Sequence, residues 1–149
     1  MIEYNYHTEE VPKNMRITQV SGIILNEKKQ VLIYQEKNGN YRIPGGHPEK
    51  NETLEETLKR EVLEEVNIII SDISYLGFQE VNGDTKDSYA QVRMLATIKS
   101  IGEERPDPAE HETYQRILIP LKELNNYLNW GSVGDEMTQQ ALNKIKGVE

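Results

Sequence analysis

Apolar and polar residues follow two different rhythms along this chain, and the changes of rhythm divide it into elements. Residues 1–15 are mostly polar, with Tyr4 and Tyr6 placed for a short edge strand or an arm. Residues 16–26, RITQVSGIILN, are rich in β-branched types and predict a strand. A polar turn at residues 27–30 precedes a second strand at residues 31–34, and Asn38-Gly39-Asn40 is a strong turn signal. A short strand at Tyr41-Arg42-Ile43 then runs into Pro44-Gly45-Gly46 and a loop over residues 47–52. The period changes next. Leu58, Val62 and Val66 recur every four residues, which predicts a helix with one apolar stripe, starting near Glu52 or Thr53. Thr53 with Glu56 three residues on has the form of a capping box.

Beyond that helix, residues 68–82 read as extended, with Gly77 a candidate bulge, and Asn82-Gly83-Asp84 as a hairpin turn. In residues 88–100 Tyr89, Gln91 and Arg93 alternate with Ala90, Val92 and Met94, the period of a strand. Residues 101–112 hold prolines and charges and predict a loop. A short strand over residues 117–119 ends at Pro120. Residues 121–128 and 135–146 predict two helices, joined by a linker over residues 130–134. Strands, helix, strands and helices in that order imply an α/β or α+β fold.

A chain of 149 residues suits one domain, 1–149, with a sizeable core. No apolar run approaches the length of a membrane span, and the first residues lack the apolar stretch of a secretory signal. Cysteine is absent, which excludes disulfides, thiolate nucleophiles and Cys-based zinc sites and fits a cytoplasmic protein. The net charge of −8 comes with scattered Lys and Arg and no basic stripe, so a long nucleic acid is a poor candidate partner. A small polyphosphate remains a good one, provided a divalent ion offsets its charge. The expected assembly is a monomer or a homodimer.

The strongest chemical signal lies between Gly46 and Ile68, where Glu52, Arg60-Glu61 and Glu64-Glu65 fall at fixed offsets. On a helix Glu61, Glu64 and Glu65 share one face, at i, i+3 and i+4. Carboxylates that close repel one another unless a cation intervenes, and hard divalent ions such as Mg²⁺ take oxygen ligands of this kind. The glycines of Pro44-Gly45-Gly46 allow bare backbone to approach a ligand.

This spacing resembles the Nudix box, the signature of the Nudix hydrolase family: Gly, five residues, Glu, seven residues, Arg-Glu-apolar, one residue, Glu-Glu, one residue, Gly, apolar. Here it reads Gly46, Glu52, Arg60, Glu61, Val62, Glu64, Glu65, Asn67 and Ile68, and only the last Gly is replaced, by Asn67. That position often needs a left-handed backbone, which Asn tolerates best among non-Gly residues, at a cost of about 1 kcal/mol or less. The resemblance implies an α/β/α sandwich around a mixed β-sheet. It implies Mg²⁺- or Mn²⁺-dependent attack of water on phosphorus in a nucleoside diphosphate linked to another moiety. Nucleoside triphosphates, ADP-ribose, nucleotide sugars and dinucleoside polyphosphates all fit that description. The alternative on the same fold is a nucleotide sensor that does not cut.

By the same resemblance the metal site draws on Glu61, Glu64, Glu65 and the Gly45 carbonyl. Glu61, Glu64 and Arg60 are the catalytic candidates, with Glu61 first choice as general base, while Arg60 and Glu52 more often brace the loop. Many family members place a base in a loop before a late strand. The matching position falls near Gln115, which cannot serve, so Glu110 and Glu112 are the candidates there. Arg42, Gln91 and Arg93 sit on strands that border the cleft in this family and are candidates for phosphate or base, and His47 for phosphate. Tyr41 is a packing or stacking residue, Trp130 a core anchor, and His111 a surface residue.

Overall fold

The computed structural model describes residues 2–83, 87–109 and 111–146. Their elements are β1 (Glu3–His7), β2 (Arg16–Leu25), β3 (Gln30–Gln35), β4 (Tyr41–Arg42), β5 (Gly45–Gly46), α1 (Leu54–Val66), β6 (Ile68–Asn82), β7 (Tyr89–Ile101), β8 (Gln115–Pro120), α2 (Leu124–Leu128) and α3 (Gly131–Lys146). A single 3₁₀ turn at Leu121–Glu123 leads into α2.

The strands form one mixed sheet in the order β1-β6-β7-β2-β3-β4, with β5 added to β2 and β8 to β3. Only the pairing of β2 with β7 is parallel. The sequence separates two apolar sets on β2 by the strand's period of two. Val20 and Ile24 face α1 together with Leu58, Val62 and Val66. Ile23 and Leu25 face the opposite layer, with Leu124, Leu128, Met137 and Ala141 of the later helices. The fold is thus an α/β/α sandwich around a mixed sheet. Among the described residues no helix is long and apolar enough to cross a membrane.

Helix α1 follows its sequence signals. Thr53 accepts a hydrogen bond from the Glu56 N–H, and the Glu56 carboxylate accepts one from the Thr53 N–H. Leu58 and Val62 are fully buried, worth about 1.5–3 kcal/mol each on folding. The helix ends at Asn67, whose φ of 53° and ψ of 49° are left-handed. Its side-chain amide also donates to the Glu103 carbonyl at 2.9 Å, a contact glycine could not make.

Elsewhere the structure meets the sequence reading at some points and departs from it at others. Residues 1–15 do hold an edge strand, β1, paired to β6. Residues 131–134 are not a linker: α3 already runs from Gly131. Glycine serves there for close approach, since a Cβ on Gly134 would lie 2.0 Å from the Asn125 side-chain oxygen. Asn125 in turn donates to the Gly131 carbonyl and to Asp135, locking α2 onto the start of α3. The pairing of β6 with β7 is irregular between Tyr75 and Gly77, as a bulge requires. Asp84 of the expected hairpin turn lies outside the described residues.

Candidate active site

Glu61, Glu64 and Glu65 lie on one side of α1, and Glu61 and Glu65 reach the turn that β5 pins against β2. That turn is tight because the glycines permit it. A Cβ on Gly45 would lie 2.3 Å from the Val20 carbonyl, and one on Gly46 would lie 2.3 Å from the Glu61 carboxyl carbon. The helix and the β5 backbone are therefore in contact through the acid itself.

Glu65 is the deepest of the three. Its carboxylate accepts from the Gly45 N–H at 2.8 Å and from the Tyr34 hydroxyl at 3.1 Å. Burial pushes its pKa up to about 8, and the charges of Glu61 and Asp107 push in the same direction. Glu61 is also raised, by burial first, with Glu64 and Asp107 adding and Arg60 opposing. Glu64 is the most exposed, with 39% of its side chain accessible.

Arg60 is a brace. Its guanidinium forks onto Glu52 at 2.7 and 3.0 Å, donates to the His47 carbonyl at 3.1 Å and to Glu61 at 2.8 Å, and reaches Glu64 at 3.4 Å. Glu52 is held well below the usual carboxylate range, at about 2, by Arg60 first and by the Glu49 N–H and Thr57 hydroxyl after it. The loop over residues 47–52 is thus tied to α1 by one guanidinium. His47 is exposed, and its Nδ1 lies 2.9 Å from the Thr18 carbonyl.

Of the two second-loop candidates, one falls within the described residues. Glu112 pairs with Lys37 at 3.6 Å, and Glu110 lies outside the described residues. Gln115 is the first residue of β8 and pairs with Gln35. Among the described residues, a loop acid whose charge reaches the cluster is Asp107, which is 4% exposed and acts on both Glu61 and Glu65. A tight turn places it: the Asp107 N–H donates to the Glu112 carbonyl, the His111 N–H to the Asp107 carbonyl, and the Ala109 N–H to the Asp107 carboxylate, each at 2.7 Å. The available sequence signal was Pro106-Asp107-Pro108, where two fixed φ angles stiffen the chain around one acid.

The donor set is all oxygen and strongly anionic, which fits a hard divalent cation. Among the described residues no three His, Asp or Glu side chains converge on one point as they stand. Such an ion commonly takes one or two carboxylates and completes its shell with water and phosphate oxygens, which these residues can accommodate.

Three of the four substrate-binding candidates, Arg42, Gln91 and Arg93, line one cleft of about 520 Å³ together with Gln19, Gln79 and Trp130, whereas His47 does not. Arg42 is held by Glu36 at 2.7 Å. Gly45 lies beside both the cleft and the carboxylates, since it pairs with the cleft residue Ser21 and its N–H donates to Glu65. Tyr41 packs edge-on against Tyr127 at 5.1 Å. Trp130 is a cleft wall with the Arg93 guanidinium 4.9 Å over its ring.

Residues 15–141 match the NUDIX domain family. The chain is 32% identical over 93 residues to the NAD-capped RNA hydrolase NudC of Vibrio cholerae, covering 59% of this chain and 32% of that protein. It is 25% identical over 136 residues to the 8-oxo-dGDP phosphatase NUDT18 of Mus musculus, covering 85% of this chain and 41% of that one. The chain thus spans well under half the length of these curated relatives. Among solved structures, a point mutant of the Bacillus subtilis pyrophosphohydrolase BsRppH aligns with a TM-score of 0.73 at 19% identity, over 95% of this chain and 90% of that one.

Proposed function

The chain belongs to the NUDIX family, and from that premise we propose that it hydrolyses a phosphoanhydride bond in a nucleoside diphosphate joined to another moiety, with Mg²⁺ or Mn²⁺. The observation that carries this reading is a mutually repelling group of acids, half-buried Glu61 and Glu65 with buried Asp107, set against the bare backbone of Gly45 and Gly46. Residual negative charge of that kind is costly without a counter-charge. A divalent ion held there by Glu65, Glu61 and Glu64 would neutralise phosphate charge and make water more acidic.

The chain's own groups then have distinct tasks. Glu65 is fixed by the Gly45 N–H and Tyr34 and serves as an anchored ligand. Glu61 touches Arg60 and faces Gly46, so it is placed to orient or deprotonate a water above the turn. Asp107 is the loop acid nearest that position in charge terms and is a second candidate base. Arg60 and Glu52 hold the loop over residues 47–52 against α1 and act by positioning.

The test is hydrolysis of a panel of nucleoside triphosphates, ADP-ribose, nucleotide sugars and dinucleoside polyphosphates with Mg²⁺ or Mn²⁺, by the native chain and by Glu61→Gln. Product from at least one class, lost in Glu61→Gln with the thermal midpoint retained, is the expected result. Tight binding of a nucleotide with no product would favour a sensor and overturn the assignment.

A further inference from the structure

The sheet face that carries the cleft is polar where a core would be apolar. Gln19, Gln91 and Gln79 stand abreast on β2, β7 and β6. In the neighbouring row Arg93 stands between Ser21 and Gly77. Arg93 is only 3% exposed, and burial lowers its pKa to about 10, so it remains a cation at neutral pH. Its hydrogen-bond partners are all neutral: Gln19, Ser21 and Gln91. Its Nε–H is buried with no partner among the described residues.

This guanidinium dictates how the amides point. Arginine only donates, so each glutamine that meets it must turn its oxygen inward. Gln19 Oε1 accepts from Arg93 Nη1 at 3.0 Å. Gln91 Oε1 accepts from Arg93 Nη2 at 3.4 Å and from Gln79 Nε2 at 3.2 Å. The NH₂ groups of Gln19 and Gln91 are thereby turned away, and both residues line the cleft. Gln79 is turned the opposite way and keeps its oxygen to accept. Across the three strands the row therefore reads donor, donor, acceptor.

We propose that this row selects the substrate's base by its keto group, taking guanine or uracil in preference to adenine or cytosine. Guanine and uracil each carry a carbonyl oxygen next to a ring N–H, which meets donors beside an acceptor. Adenine and cytosine carry an amine next to a bare ring nitrogen, which sets donor against donor and leaves buried groups unpaired. The proposal rests on the phosphoanhydride reading of the carboxylate site. Gly45 stands between the two: it pairs with Ser21 of the cleft, and its N–H donates to Glu65.

Trp130 is the only tryptophan and lines the cleft, so its fluorescence reports binding without turnover. The native chain, free of divalent metal, is titrated with GMP, IMP, AMP, UMP and CMP, and the midpoints are compared within each ring class. GMP and IMP are expected to bind about tenfold or more tighter than AMP, and UMP similarly tighter than CMP. Gln91→Glu replaces an outward donor by an acceptor and should bring the GMP-to-AMP ratio close to one or invert it. AMP binding as tightly as GMP in the native chain, an unchanged ratio in a folded Gln91→Glu, or no quenching by any nucleotide overturns the proposal. Those results leave hydrolysis in the nucleotide panel untouched, whereas no hydrolysis with the ranking intact would sink the phosphoanhydride reading alone.

Discussion

Adding one methyl group at Gly46 should separate the site's chemistry from its fold. The Cβ of Gly46→Ala would lie 2.3 Å from the Glu61 carboxyl carbon and 2.6 Å from both its oxygens. These atoms are the end of a flexible side chain, and Gly46 is not among the glycines with a left-handed backbone. The mutant can therefore fold by moving the acid. Ordinary contact begins at 3.4 Å, so the carboxyl group must retreat by about 1.1 Å, and a displacement near 1 Å can cost about a hundredfold in rate. The thermal midpoint should fall by no more than about 3 °C. Gly45→Ala is the control. Its Cβ would meet the Val20 carbonyl at 2.3 Å and the Ser21 Cα at 2.5 Å, both backbone. Backbone cannot rotate away, so the cost should reach the upper part of the overpacking range, about 2–3 kcal/mol, or roughly 4–12 °C. Turnover under saturating Mn²⁺ and melting by scanning fluorimetry read the two effects. A Gly46→Ala enzyme within threefold of native turnover, or one that melts as early as Gly45→Ala, would refute the reasoning.

Other consequences can be checked in the same assays. Glu65 binds its proton up to a pH of about 8 in the folded chain, against 4.5 ordinarily. The folded state therefore holds more protons than the unfolded one between those values, and the ion-free protein should lose stability as pH rises through that window. Melts at about pH 6 and about pH 9 should show the decline, and Mn²⁺ should raise the midpoint more at the higher pH, where no proton competes. Glu52→Gln removes the fork on Arg60 and frees that guanidinium to neutralise Glu61, so Mn²⁺ affinity read by titration of turnover should fall by about 10–100-fold. Asn67→Ala keeps the left-handed strain and loses the bond to Glu103, and chemical denaturation should show a loss of about 1–2 kcal/mol. Asn67→Gly relieves the strain while losing the same bond and should be near neutral.

What the sequence made legible was local. The Thr53 cap, the apolar stripe of α1 and the left-handed end at Asn67 are decided by residues within four positions of one another, and all appear in the structure. So does the placement of Glu61 and Glu65 beside the glycine turn. The misplaced features depend on distant partners. Gly134 is a helix interior residue because Asn125 packs against it, and composition alone marks it as a breaker. Asp107 is not singled out within the loop over residues 101–112, because the turn through Ala109, His111 and Glu112 that sets it beside the α1 acids is not visible in sequence. Trp130 does pack on the core as expected, but its second role as a cleft wall under Arg93 depends on a strand far away in sequence.

The acids of α1 work against the element that carries them. Glu61, Glu64 and Glu65 lie in the second half of the helix, where its dipole is negative, and no basic residue stands in the last turn to offset them. Burial, mutual repulsion and the dipole all disfavour the ionised group, and Asp107 adds a fourth charge. The helix forms regardless because its other side is secured by Leu58, Val62 and Val66 and both ends are capped. Arg60 offsets one part of the cluster, since its fork faces Glu52 and Glu61, and Glu65 has only neutral donors. The remaining unfavourable terms share a sign, and one divalent cation lowers all of them at once. A core that stable lets the chain hold its carboxylates in a state that a proton or a counter-charge relieves, so the proposed affinity for a divalent ion would draw on strain the fold has already absorbed.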